Sequence, residues 1–310
     1  FYVITEPMKD LPTNLPVLRD YNNCLYLKED AGKMLVGIFE PNAKPAFKDT
    51  GIVPENFSFG ELPDDFDHFE PYLKKSFHRL PMLENAGIRK FFSGPESFTP
   101  DTQYLLGETP EIKNFFTCCG FNSIGIASSG GAGRVTAEWM INGHINEDLF
   151  SVDIKRFQQF HSSKKFIMER VTETLGDLYG MHWPYKQHKT SRNQINLPYH
   201  EELKKLGACF GSSGGFERPM WYSLNGAKAE YEYSFGYQNW YPSAEYETKN
   251  TRKNVGLFEL TPFSKFDVAG ENVHDELQKL CTANIKDCLL YTSDAADEGL
   301  GVDLGGRRII

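Results

Sequence analysis

Two short apolar runs, Leu25-Tyr26-Leu27 and residues 34–39, flank the turn formers Asp30-Ala31-Gly32-Lys33, a pattern that predicts a β-hairpin over 24–40. Ahead of it Pro7, Pro12 and Pro16 punctuate extended chain, and behind it 41–63 is rich in loop formers. Phe66, Phe69, Leu73, Phe77, Leu80 and Leu83 then recur at steps of three and four, the period of one apolar helix face. Pro71 requires a helix start or a kink nearby, because its ring removes an interior hydrogen bond. Residues 88–92 and 113–121 read as strands. The second enters a glycine- and serine-rich bend that leads into a helix over 131–141, closed by Asn142-Gly143. Asp153 is placed to cap a further helix, with a stripe through Ile154, Phe157, Phe160, Ile167, Val171, Leu175 and Leu178.

Periodicity is lost over 181–200, and a short helix is expected over 201–206. The glycine-serine run 211–215 reads as a hinge into the next domain. After it come Trp221, Tyr222, Tyr231, Tyr233, Phe235, Tyr237, Trp240 and Tyr241, more suited to core and interface than to a stacking platform. Residues 255–260 and 265–268 read as strands, and Asn272 precedes a helix carrying Val273, Leu277 and Leu280. No internal repeat is visible.

Composition narrows the class. The 310 residues suffice for two or three domains, and with 40% hydrophobic and 24% charged residues the chain can bury a core. A net charge of −9 argues against nucleic acid as a partner, and no apolar run has the length of a membrane span. Six cysteines without a Cys-x-x-Cys pair suit a reducing compartment, with Cys118 and Cys119 expected as buried thiols. Phe1 opens the chain inside a strand pattern, so preceding sequence is expected. At the other end, residues 288–310 lose all periodicity and resemble the translation of a sequencing-library adapter. They are expected to be a non-native tail.

The stretch with most chemical content runs from Phe115 through Gly120-Phe121-Asn122-Ser123-Ile124-Gly125 to Gly133. A strand, a glycine-bearing bend and a helix N-terminus present free amides and a positive dipole end to whatever lies in the bend. Such an end favours a phosphate or a flat ring that gathers negative charge. A glycine-rich turn with no ligand has the same spacing.

Its surroundings decide between these. Gly94-Pro95-Glu96-Ser97-Phe98-Thr99-Pro100-Asp101, followed by Gly120-Phe121 and Gly125, resembles the C-terminal part of D-amino-acid-oxidase-like flavoprotein domains. Residues 151–212 resemble the central linker domain of dimethylglycine and sarcosine dehydrogenases. The run from Gly256-Leu257-Phe258-Glu259-Leu260 to Phe266 resembles the opening of the glycine-cleavage T-protein fold. The resemblance implies a mixed α+β and α/β architecture: 1–150 as the end of an FAD-dependent oxidoreductase domain, 151–212 as the linker domain, and 213–287 as the start of an aminomethyltransferase-like, β-rich folate domain.

It further implies FAD held against Gly120, Phe121, Asn122, Ser123, Ile124 and Gly125, mostly through backbone. The implied chemistry is oxidation of an N-methyl amine such as dimethylglycine or sarcosine, with the one-carbon unit captured on tetrahydrofolate. An electron-transfer flavoprotein is the implied acceptor partner, and the compartment is the cytoplasm of a bacterium or the mitochondrial matrix of a eukaryote. This stretch alone is expected not to turn over. The rival expectation is a folate-dependent aminomethyltransferase whose flavoprotein-like half is a scaffold. Two positions depart from the pattern. Ala127 stands where smaller amine oxidases place a lysine for the substrate carboxylate, and Glu96 where some relatives carry an arginine. The substrate anion is therefore expected to be gripped elsewhere, or the substrate is not a simple amino acid.

Other candidates carry less. His182 and His188 read as loop histidines without a metal donor set, and no metal is expected. His68 and His78 are expected on the solvated flank of their helix. Asp64, Asp65 and Asp67 read as a cluster at a helix start.

Overall fold

The computed structural model describes residues 1–264, 268–282 and 284–285, with the backbone of Asp303–Leu304 and Arg307–Arg308. The chain divides into two units, Phe1–Lys249 and Asn250–Ile310.

The first unit opens with strands β1 (Tyr2–Thr5), β2 (Leu18–Asp20), β3 (Leu25–Asp30) and β4 (Lys33–Ile38). Helix α1 (Phe66–Arg79) and strand β5 (Ile88–Phe92) follow. The strands form one antiparallel sheet in the order β2-β3-β4-β1-β5, and β3 and β4 are the hairpin expected from the sequence. Alternation sorts the side chains cleanly. Val3, Leu25, Leu27, Val36 and Ile38 point to one face and bury against Phe69 and Leu73 of α1. Each such side chain contributes roughly 1.5–3 kcal/mol of burial free energy. The opposite face carries Tyr26, Gly37, Tyr2 and Phe92 in one cross-strand row. That row is aromatic, whereas Lys28 and Lys90 stand further along the same face.

Asp65 caps α1 by accepting from the His68 amide at 3.2 Å, as the acidic cluster implied. His68 itself is not solvated: its ring lies 3.2 Å from a Glu40 carboxylate oxygen, and both side chains are largely buried. His78 is exposed. The apolar stripe overran the helix end. Leu83 belongs to a separate 3₁₀ turn over Pro81–Asn85, since Pro81 cannot continue the ladder.

Strands β6 (Leu105–Glu108) and β7 (Phe116–Cys119) pair antiparallel, and helix α2 (Gly125–Asn142) packs on them. Leu106, Ala132, Val135, Trp139 and Val152 form that core. The helix begins six residues before the position read from the sequence. Gly125, Gly130 and Gly131 lower helix propensity by about 1 kcal/mol each, yet tertiary packing overrides the local preference. Gly143 ends it in the left-handed conformation. Cys118 and Cys119 are exposed rather than buried, because β7 has β6 on one side only.

The stripe beginning at Ile154 is not one helix. It breaks into 3₁₀ turns at Ile154–Arg156 and Gln159–Ser162 before helix α3 (Lys164–Gly176), which Ser163 caps through the Phe166 amide. Strand β8 (Ile195–Asn196), helix α4 (His200–Lys205), and strands β9 (Ala208–Ser213) and β10 (Phe216–Tyr222) follow. The run at 211–215 is the end of β9 and a two-glycine hairpin turn, not a hinge. Helix α5 (Tyr241–Lys253) begins in this unit and continues past its last residue, Lys249.

In the second unit, residues 255–260 have no strand pairing among the described residues, so the strand expected there does not form. The strand expected at 265–268 falls largely outside the described residues. Helix α6 (Val273–Leu280) follows Asn272 as its sequence suggested. No helix among the described residues is long and apolar enough to cross a membrane.

Candidate functional site

The bend between β7 and α2 is a backbone device. Gly120, Asn122 and Ser123 all adopt positive φ, at 66°, 49° and 66°. A Cβ on Gly120 would stand 3.0 Å from the Thr99 methyl, so glycine is required there twice over, by conformation and by space. The side chain of Asn122 is buried. Its amide nitrogen donates to the Gly120 carbonyl at 2.6 Å, and its oxygen accepts from the Thr99 amide at 2.8 Å. That arrangement bolts the bend to the Thr99-Pro100-Asp101 turn. The turn is closed by Thr99 Oγ1 donating to the Gln103 carbonyl at 2.7 Å. Arg156 holds Asp101 in two-point fashion, Nε to Oδ2 at 2.6 Å and Nη2 to Oδ1 at 3.0 Å. A single network therefore joins the bend, the turn and the segment leading to α3.

The six candidate contacts divide by role. Phe121 stacks on Tyr104 with centroids 4.8 Å apart, and Asn122 faces the protein, so their side chains build the bend. Gly120, Gly125 and the exposed Ile124 and Ser123 form its outer surface. At the start of α2 the amides of Gly125, Ile126 and Ala127 have no acceptor among the described residues, and no side chain caps them. Gly130 and Gly131 have open space around them. Three free donors at a positive dipole end, next to a bend with no side chain at Gly120 or Gly125, fit the electron-rich edge of a flavin ring.

Ser123 donates its hydroxyl to the Glu96 carboxylate, which ties the bend to the Gly94–Asp101 turn at a second point. Glu96 in turn lines a cavity of about 740 Å³ bounded by the sheet, the 43–51 loop and α3. The aromatic sheet face leads to this cavity. Centroid distances run 5.1 Å from Phe92 to Tyr2, 5.7 Å to Tyr26, 5.4 Å to Phe39 and 5.1 Å to Tyr179. Gly37 is what lets Tyr26 lie flat: a Cβ there would sit 2.2 Å from the tyrosine ring. Burial pushes the Tyr26 phenol far up, with a Tyr2 hydrogen bond and the Glu96 charge adding to it, so the phenol stays protonated. The sequence reading found the bend but missed this aromatic row. Its trace was the in-register pairing of Tyr2, Tyr26 and Phe92, which becomes visible only once the strand order is known.

The irregular 181–200 segment is pinned by two carboxylates. Glu217, fully buried, accepts from Arg192 Nε at 2.7 Å, from Arg192 Nη2 and from the Asn193 amide at 2.8 Å. Burial alone would raise its carboxyl; these donors more than offset that and hold it below the ordinary value. Glu173 likewise accepts from the Lys189 and Thr190 amides at 2.6 and 2.8 Å and from the Thr190 hydroxyl, and is held low against its burial. Glu173, Asp177 and His188 offer ligand atoms within 4.8 Å of one another, a grouping the sequence reading did not find. The two carboxylates are already engaged, Glu173 with the 189–190 amides and Asp177 with Lys186 at 2.7 Å, and Arg170 adds a further positive charge beside Glu173. The cluster is a structural clamp.

Comparison with known proteins places these parts in a family. The model described as FAD dependent oxidoreductase matches residues 1–139, its central domain 142–195, and the GCVT N-terminal domain 199–292. A 4-methylaminobutanoate oxidase (formaldehyde-forming) of Paenarthrobacter nicotinovorans is 41% identical over 94% of this chain and 35% of its own length. The mitochondrial sarcosine dehydrogenase of Homo sapiens is 34% identical over 91% of this chain and 29% of its own. The mitochondrial pyruvate dehydrogenase phosphatase regulatory subunit of Mus musculus is 32% identical over 90% and 32%. The chain thus spans about a third of the length of the curated relatives it matches. With three domain models in consecutive order and dehydrogenase relatives along nearly its whole length, the chain belongs to the sarcosine and dimethylglycine dehydrogenase family of FAD-dependent oxidoreductases.

Proposed function

We propose that the gene product carrying this chain oxidises an N-methyl amino acid, of the dimethylglycine, sarcosine or 4-methylaminobutanoate class, and that the one-carbon unit is passed to tetrahydrofolate. The observation that carries this reading is the bend at Gly120–Gly125, with its free helix-start amides, standing next to a cavity walled by aromatic rings. FAD, when bound, supplies a two-electron acceptor for the hydride of the N-methyl carbon. Gly120 and Gly125 leave room for a flat ring. The amides of Gly125, Ile126 and Ala127 stabilise negative charge at its edge. Asn122 fixes the bend, so these donors need no reorganisation during the reaction. Phe39, at the end of the aromatic row, and Phe98 line the cavity and exclude water from the space where the amine reacts.

In this reading residues 1–150 complete the oxidoreductase domain, 151–212 form the linker domain and 213–287 begin the folate domain. An electron-transfer flavoprotein receives the electrons, and the 310-residue chain alone does not turn over. The test is anaerobic addition of N-methyl amines to the flavin-loaded, full-length gene product. Bleaching of the flavin absorbance by at least one of them is expected, and a flavin that none of them reduces would sink the proposal. Since one relative is named as formaldehyde-forming, folate capture is measured separately. Formaldehyde released without folate should fall when tetrahydrofolate is supplied; undiminished release would remove the folate step alone.

The regulatory subunit at 32% identity favours a second reading, in which the flavoprotein-like half is a scaffold. A full-length product purified without flavin, and unable to take it up, would decide for the scaffold.

A further inference from the structure

One carboxylate in the cavity beside the bend has no ion-pair partner among the described residues, although Lys44, Lys48 and Lys164 also line the cavity. Three carboxylates line it: Glu40, Asp65 and Glu96. Glu40 faces His68 at 3.2 Å, and Asp65 is paired with Lys44. Lys164, on the opposite wall, donates to the Thr50 carbonyl at 2.6 Å. Glu96 has only a neutral donor, the Ser123 hydroxyl, and no cationic side chain pairs with it among the described residues. Phe39 and Phe98 line the same cavity, with ring centroids 6.5 Å apart and edge to face. An unpaired carboxylate and aromatic rings lining one cavity attract an ammonium group through both charge and ring quadrupole.

We infer that Glu96 anchors the substrate's ammonium group, with Phe39 and Phe98 completing the pocket and Ser123 coupling that anchor to the bend. This rests on the reading of the protein as an N-methyl amine oxidoreductase, and it gives a reason for a glutamate at a position where an arginine would grip a carboxylate. The site then selects on the amine end of the substrate. Glu96 is a positioning residue: it draws in the ammonium form and sets where the N-methyl carbon lies relative to the bend, and the ammonium proton leaves to solvent before hydride transfer, so that the nitrogen lone pair can form the iminium.

The experiment uses the flavin-loaded, full-length protein and two probes that cannot be oxidised at nitrogen. One is trimethylglycine, whose quaternary nitrogen has no lone pair; the other is 3,3-dimethylbutanoate (tert-butylacetate), which keeps the carboxylate and the shape but has a neutral carbon in place of the charged nitrogen. Binding is read by calorimetry, and flavin occupancy by absorbance. Glu96→Gln keeps the acceptor for Ser123 and removes the charge. It should weaken trimethylglycine binding by roughly tenfold or more, leave tert-butylacetate within about twofold, and leave flavin occupancy unchanged. Glu96→Asp, which keeps the charge, should recover most of the loss. Equal affinity of wild type and Glu96→Gln for trimethylglycine would overturn the assignment. So would loss of flavin from Glu96→Gln, which would make Glu96 a cofactor support. The parent reading fails differently: if no N-methyl amine reduces the wild-type flavin while Glu96→Gln still loses trimethylglycine selectively, the ammonium site stands and the oxidase reading falls.

Discussion

Gly120 combines a φ of +66° with a 3.0 Å gap between its missing Cβ and Thr99, so its substitution is costly in a way its neighbours' are not. Gly120→Ala should lower stability by about 1–2 kcal/mol, the cost of a side chain in the left-handed region, read as a shift in the urea midpoint of the full-length protein. An unchanged midpoint would show that the bend relaxes without loss. Arg192→Ala acts through charge instead. It leaves Glu217 buried without a cation, for which about 3–5 kcal/mol is expected. Glu217→Gln in the Arg192→Ala background should restore part of it, since the amide no longer carries a charge. Gly120 stood out in the sequence because glycine spacing is a local signal. Glu217 did not, because its partner Arg192 is 25 residues away and nothing local marks a charge that folding will bury.

Among elements, the sequence was clearest where one periodicity ran uninterrupted between turn formers. The β3-β4 hairpin, α1 and α4 all form where they were expected. It failed where small residues hid a helix, as at the start of α2, and where one hydrophobic stripe passed through three short elements between Ile154 and Gly176. Those breaks come from long-range anchors, above all Arg156, which leaves the helical path to reach Asp101. Asp101→Asn should therefore loosen the Thr99-Pro100-Asp101 turn and the segment before α3 together. A loss of roughly 1–2 kcal/mol is expected, because Arg156 is nearly buried while Asp101 remains partly open to water. Hydrogen exchange should then quicken in both segments; protection lost in only one would refute the coupling.

The carboxylate clamp on 181–200 gives the same scale a pH dependence. Glu173 and Glu217 are both held below their ordinary values in the fold. The unfolded chain binds their protons first as pH falls, so their contribution is complete above the ordinary glutamate value of about 4.3 and is lost progressively below it. Glu173→Gln should start less stable at neutral pH and lose less between pH 5 and pH 3, by urea denaturation. A slope equal to that of the wild type would mean that Glu173 is not held low.

At the scale of the whole molecule, two opposed features set how the 310-residue chain behaves in solution. Its net charge of −9 makes molecules repel. Against that, α2 turns a stripe of Ile126, Gly130, Gly133, Ala137 and Ile141 outward, spaced to fall on one helix face, with Ile126 97% and Ile141 82% exposed. Packing elsewhere in the fold leaves that face bare, although its residues are as apolar as those of a core. The two features differ in range. Repulsion between exposed charges is screened beyond about 8 Å at physiological salt, whereas contact between apolar faces strengthens in water as apolar area is removed. The isolated chain should therefore scatter light as a monomer at low ionic strength and self-associate as salt rises. Ile126→Gln with Ile141→Gln should suppress that association at every salt concentration without moving the urea midpoint, because neither side chain contributes to the core on the other face of α2. Association that falls as salt rises would mean that charge pairing, not the bare helix face, brings the molecules together.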